Sequence, residues 1–194
     1  MADLVADALA WVDEIHPHAR HLAHTLDWLL VLEPHAGEAL QIAAVAHDAE
    51  RAFPAPAGSP RGTDDPTSSV YERWHQDRSA QIIGDWLRER GADAALINQV
   101  RALVRVHEDG GSPEADLLQA ADSLSFLEVQ VELFAGLVAR GELSRRQADR
   151  KLHRMYDRIA PGRARELAAP MLAAALTRIA TVETPAPEGE GAGR

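Results

Sequence analysis

The chain has 194 residues, no cysteine and a formal net charge of −10. That length suits one domain with short appendages, and a hydrophobic fraction of 46% is enough for a sizeable core. The acidic balance argues against a nucleic-acid-binding surface, which needs a basic stripe. Without cysteine there are no disulfides and no thiolate ligands, so a metal site would draw on nitrogen and oxygen donors. No run is long or apolar enough to span a bilayer, and the N-terminus lacks a basic start followed by an apolar stretch. A cytoplasmic location is therefore expected. Lys151 is the only lysine, and arginine carries nearly all the positive charge.

Residues 3 to 15 form an amphipathic pattern with Leu4, Ala8, Trp11 and Ile15 on one stripe. His16 and Pro17 end it. A second helix is expected near 18 to 32, stopping before Pro34, with His21, Thr25, Trp28, Leu29 and Leu32 facing inward. His18 offers a competing register through Leu22, Thr25, Leu26 and Leu29. The third helix, near 37 to 49, carries Ile42 and Val45 and ends in His47 and Asp48. Consecutive helical residues diverge by about 100°, so this pair can embrace one point in space, and Asp48 can reach a second beside it.

Residues 53 to 69 hold Pro54, Pro56, Gly58, Pro60, Gly62 and Pro66, which forbid regular structure. A stretch this long is either a lid or binding loop, or a disordered insertion. Helix four is expected near 70 to 90 with His75 in its first turns, and helix five near 93 to 107, ending in His107 before Gly110 and Gly111. Helix six begins after Pro113 and extends toward Ala139, with Asp122 in line with Leu118, Ser125 and Val129. Two more helices follow near 144 to 159 and 163 to 181, and the low-complexity tail 184–194 is expected to be mobile. No alternating run requires a sheet. The expectation is an all-α bundle in a single domain over 1–183.

His21, His47, Asp48, His75, His107 and Asp122 each lie on an apolar helical face near a helix end. Alone, each has an ordinary explanation, such as a hydrogen-bonded core histidine or a helix cap. Burying a polar group without a partner costs roughly 2–7 kcal/mol, so five helices that each point such groups inward call for a shared one. A metal ion would supply that partner.

In this order the residues resemble the HD-domain superfamily, named for its His-Asp pair. Local contexts add to the likeness: AAVAHDAER, HQDRSAQII, and VHEDGG paired with ADSLSF. The resemblance covers about residues 18 to 130 and leaves 140 to 181 outside the shared core. It implies an HD-type helical bundle with two additional C-terminal helices. It also implies one metal held by His21, His47, Asp48 and Asp122, with His18 or His24 as alternatives for the first ligand. His75 and His107 match the extra histidines of two-metal members, in which the Asp bridges both ions. Where many members have lysine after the pair, this chain has Ala49, Glu50 and Arg51.

The function so implied is a metal-dependent phosphohydrolase using one or two divalent ions (Mn, Fe, Co, Ni, Zn or Mg). Its substrate would be a small phosphorylated metabolite or nucleotide, attacked by a metal-bound hydroxide. No nucleic-acid polymer and no membrane partner are expected. A di-iron oxygenase and a non-catalytic nucleotide-binding module are the alternatives. Arg78, one helical turn past His75, is a candidate phosphate contact, as is Arg51. Glu108 is a candidate proton shuttle, against a solvated helix end. Lys151, Arg154 and Arg158 read first as a charged outer face, and otherwise as a positive cover for the site. His16, His35 and His153 read as surface residues, and Trp11, Trp28, Trp74 and Trp86 as core and rim packing.

Overall fold

A computed structural model describes residues 3–61, 69–160 and 162–183. Among the described residues the protein is all-helical, without strands. Helix α1 (Leu4–Ile15) opens on the Asp3 side chain, which accepts from the backbone N–H of Ala6 at 3.1 Å. It buries Leu4, Ala8 and Val12, so the inward stripe runs toward Val12 rather than Trp11. Helix α2 (Ala19–Leu32) buries His21, Leu22, Thr25, Leu26 and Leu29. Both registers anticipated for it share this broad inner face, but His21 is fully inside while His18 is half-buried.

Helix α3 (Glu38–Ala46) is buried almost all round, as befits a central element. It stops before the His-Asp pair instead of running to 49. Asp48 leaves the helix at φ −97° and ψ 14°, a sparsely allowed conformation in which active-site residues are common. A 3₁₀ turn (Ala49–Ala52) follows. Helix α4 spans Ser69–Glu89 and α5 spans Ala94–Val104, the latter capped by Asp93 at 2.8 Å from the Leu96 N–H. The two approach closely where Gly84 meets the Arg101 side chain, and a Cβ there would lie 2.6 Å from Arg101 Cδ. Helix α6 (Pro113–Ser125) starts with a Ser112 cap and Pro113 in its first turn.

The expected single helix from 113 to 139 is interrupted by one wide π turn (Phe126–Gln130) before α7 (Val131–Ala139). Asp122 and Ser125, ahead of this turn, are buried, while the inserted residue shifts the register and leaves Val129 only half-buried. Helix α8 (Arg145–Asp157) begins with a Ser144–Gln147 capping box, and α9 (Arg163–Ala180) carries Pro170 on its exposed side.

One apolar cluster gathers α1 to α5 with the start of α6, around Leu22, Leu29, Ile42, Ile83 and Leu118. The other gathers the end of α6 with α7, α8 and α9, around Leu124, Leu152, Ile159 and Ile179. Trp28 and Leu32 pack against both. Trp11 and Trp86 pack at 5.2 Å between ring centroids, and Trp74 lies 6.1 Å from Tyr71. No helix among the described residues is long and apolar enough to cross a membrane. The tail expected to be mobile (184–194) and residues 62–68 of the expected loop lie outside the described residues.

Candidate metal centre

Five helix ends converge where α2, α3, α4, α5 and α6 meet. From α2 and α3, His21 Nε2 lies 3.0 Å and His47 Nε2 3.5 Å from the same Asp122 oxygen on α6. His75 Nε2 from α4 is 2.8 Å from Asp48 Oδ1, and His107 Nε2, just past α5, is 4.0 Å from it. The ligand atoms of His21, His47 and Asp48 lie within 4.8 Å of one another, as do those of Asp48, His75 and His107. Asp48 thus belongs to two overlapping donor groups. The imidazoles form a row, with centroids 5.6 Å apart for His21 and His47, 5.0 Å for His47 and His107, and 5.4 Å for His75 and His107.

Backbone carbonyls orient the rings. His47 Nδ1 donates to Ala44 O at 3.0 Å and His107 Nδ1 to Val104 O at 2.8 Å. A carbonyl only accepts, so the proton sits on Nδ1 and Nε2 faces the centre. The buried Nε2 atoms of His47 and His107 have no hydrogen-bond partner among the described residues. His21 is held likewise: Ser125 Oγ donates to His21 O at 2.8 Å and so accepts from His21 Nδ1 at 2.8 Å. Inward Nε2 atoms facing carboxylates, without hydrogen-bond partners of their own, fit a cation bound by nitrogen and oxygen.

Charge is concentrated here. Burial would raise the Asp48 pKa, but Arg51, His47 and His75 hold it well below the usual carboxylate range. Asp122 is held low in the same way, by Arg158 and His47 against burial. Burial would lower His47, yet Asp122 and Asp48 outweigh it and lift the ring to about 9. His107, buried beside His47, falls to about 4.

Several residues around the centre depart from their sequence reading. His16 is not a surface residue: it is 6% exposed and its Nε2 lies 3.1 Å from Asp48 O. Its position just past the end of α1, tucked against the His-Asp turn, comes from packing and leaves no local signal. Glu50 is also inside, with Oε2 at 3.0 Å from His75 Nδ1 and Oε1 at 3.1 Å from Arg61. Its place two residues after Asp48 was the available clue.

The charged outer face read for α8 is wrong for Arg158. Its guanidinium bonds Glu108 and Asp122, with Nε at 2.7 Å from Ser123 Oγ. Arg154 pairs with Glu72 of α4. Glu108 is consequently no solvated helix end: its side chain is only 8% exposed, and Arg158 and Lys151 outweigh the effect of burial to bring its pKa down to about 2. Arg51 Nε lies 3.1 Å from Asp48 Oδ2, whereas Arg78 is half-buried on α4, one turn past His75. His18 sits at the start of α2, and His24 lies 3.6 Å from both Asp27 and Glu128. His35 and His153 are exposed, as read.

These features define an all-helical protein whose buried histidine and aspartate groups could hold a metal ion. A family model described as "Domain of unknown function (DUF4202)" matches residues 8–175, and the chain belongs to that family. No curated protein matches. Among solved structures the chain is similar to the selenomethionine crystal structure of Bacillus subtilis YpgQ, with a TM-score of 0.64, 19% identity and 97% of each chain covered. At that identity the likeness concerns the fold.

Proposed function

We propose that the protein is a metal-dependent phosphohydrolase of the HD type acting on a small phosphorylated metabolite or nucleotide. The observation that carries this reading is the pair of donor groups sharing Asp48, with the buried Nε2 atoms of His47 and His107 turned inward and unpaired. His21, His47, Asp48 and Asp122 would hold one ion, and Asp48, His75 and His107 the second. A divalent ion held there would polarise a phosphoryl oxygen and bring the pKa of water toward about 7.

The charge balance supports an anionic substrate. Asp48, Glu50, Glu108 and Asp122 are matched by Arg51, Arg61, Arg158 and Lys151 around the centre. Each divalent ion therefore adds positive charge that only a ligand can neutralise. His16 fixes the Asp48 backbone, and Glu50 fixes the His75 ring. Glu108 enters as the carboxylate that anchors Arg158, because a group ionised down to about pH 2 holds no proton to give at neutral pH. Arg51 and Arg78 flank the centre as candidate phosphate contacts.

The test is phosphate release from a panel of nucleotides and sugar phosphates with Mn or Co, beside metal analysis of protein purified without air. Wild type should bind metal and turn over, and Asp48→Ala should lose both. Turnover that survives Asp48→Ala would rule the reading out. Two irons with O₂ uptake would favour an oxygenase instead.

A further inference from the structure

Helix α8 lies outside the stretch that supplies the proposed ligands, yet it packs onto the centre. Ala148, Leu152 and Met155 are buried in the second apolar cluster, and this fixes the helix rotation. Lys151, Arg154 and Arg158 then lie at spacings of three, four and seven, on the side facing α4 and α6. Two of the three are already committed: Arg154 to Glu72, and Arg158 to Asp122, Glu108 and Ser123.

Lys151 is different. It is half-buried, and no carboxylate among the described residues comes within ion-pair distance of its Nζ. That nitrogen stands 5.5 Å from the centre of the Phe126 ring, and Phe126 in turn packs edge-on against His21 at 6.4 Å. The ammonium sits in the fields of Glu108, Arg158, Arg51 and Asp122. A partly desolvated charge with no carboxylate in direct contact is costly to keep. A lysine merely covering Phe126 would gain its cation–π contact equally well as arginine, and arginine fills every other basic position in this chain. Lysine differs in presenting a compact point charge with three freely rotating donors, which suits a phosphate oxygen.

We propose that Lys151 receives a phosphoryl oxygen of the substrate, so that α8 completes the anion site beside the ligand-bearing helices. This rests on the phosphohydrolase reading. The sole lysine makes the test direct, with inorganic phosphate as the probe. Metal-loaded protein is treated with an amine-acetylating reagent, with phosphate or with chloride at equal ionic strength, and acetylation of Lys151 and of the N-terminal amine is followed by mass spectrometry.

Phosphate should slow labelling of Lys151 several-fold and leave the N-terminus unchanged. In titration calorimetry, Lys151→Gln should bind phosphate about 10–100-fold more weakly, with metal content and melting temperature as in wild type, and Lys151→Arg should regain part of the loss. Lys151→Gln that holds metal and binds phosphate like wild type overturns the role of Lys151 alone. Wild type that holds metal but binds no phosphate overturns both this role and the phosphohydrolase reading. Wild type that binds no metal overturns the metal centre, whatever happens at Lys151.

Discussion

Glu50 Oε2 lies 3.0 Å from Nδ1 of His75, on the far side of the ring from the 2.8 Å contact between His75 Nε2 and Asp48. The carboxylate therefore fixes which face of the imidazole looks inward. Its other oxygen is tied to Arg61, which also donates to Phe53 O at 2.6 Å and Arg51 O at 3.2 Å. The described part of the 53–61 stretch is thereby folded back onto the turn that follows Asp48.

Glu50→Gln offers one acceptor oxygen where His75 and Arg61 each require one. The expected outcome is an ion at the His75–His107 group bound about 10–100-fold more weakly, with the His21–His47 group retained. Atomic emission after dialysis should fall from two equivalents of metal toward one. Two equivalents in the variant would contradict this role for Glu50.

His16 does for the Asp48 backbone what Glu50 does for His75. The His18 N–H donates to His16 Nδ1 at 3.0 Å, so the ring proton is on Nε2 and is donated to Asp48 O at 3.1 Å. Burial holds the ring neutral by bringing its pKa to about 4. His16→Phe preserves bulk but leaves the carbonyl and the N–H unpaired, each at about 1–3 kcal/mol. The denaturant midpoint should drop and metal affinity with it. An unchanged midpoint would mean that the contact contributes nothing.

His47, Asp48, His75, His107 and Asp122 were legible in the sequence because each ends or interrupts an apolar helical face, and 3.6-residue periodicity says which way such a face points. The all-helical class followed from the same periodicity. His16, Glu50 and Arg158 were not legible, because their burial is decided by what packs over them. A histidine before a proline, an acid in a charged turn and an arginine in RKLHRMYDRI look solvated until α1, the 51–61 segment and α8 fold against the centre. The π turn after Ser125 was hidden too, since one extra residue in a turn leaves the apolar pattern nearly intact.

Arg158 is the cation that makes two buried carboxylates tolerable on one side of the centre. Arg158→Met removes it and leaves Asp122 and Glu108 facing each other's charge. In chelator the variant should lose about 3–5 kcal/mol of stability by denaturant unfolding. Divalent metal should then raise its melting temperature more than that of wild type, because the ion takes over part of the neutralisation. Arg158→Lys should be intermediate, since an ammonium cannot span both acids and Ser123. A Met variant as stable as wild type in chelator would remove this ion network from the account of the fold.

A metal bound through His47 would have to displace the proton that Asp122 and Asp48 hold on the ring up to about pH 9. Affinity should therefore climb with pH up to about 9 and then level. Calorimetry at pH 7.5 in two buffers of different ionisation enthalpy should show proton release on binding, with His75, also raised, adding to it. In the metal-free protein the same groups set stability against pH. The His47 proton contributes fully below pH 6.5, and its contribution is lost as pH rises through about 9. His107 and His16 act at the other end: below pH 6.5 the unfolded chain takes up protons that the folded state refuses until about pH 4, so stability falls there as well. Urea midpoints in chelator at pH 5, 7 and 9 should be highest at 7, and metal should flatten the alkaline limb. An alkaline limb as steep with metal as without it would show that His47 is not the ligand being deprotonated.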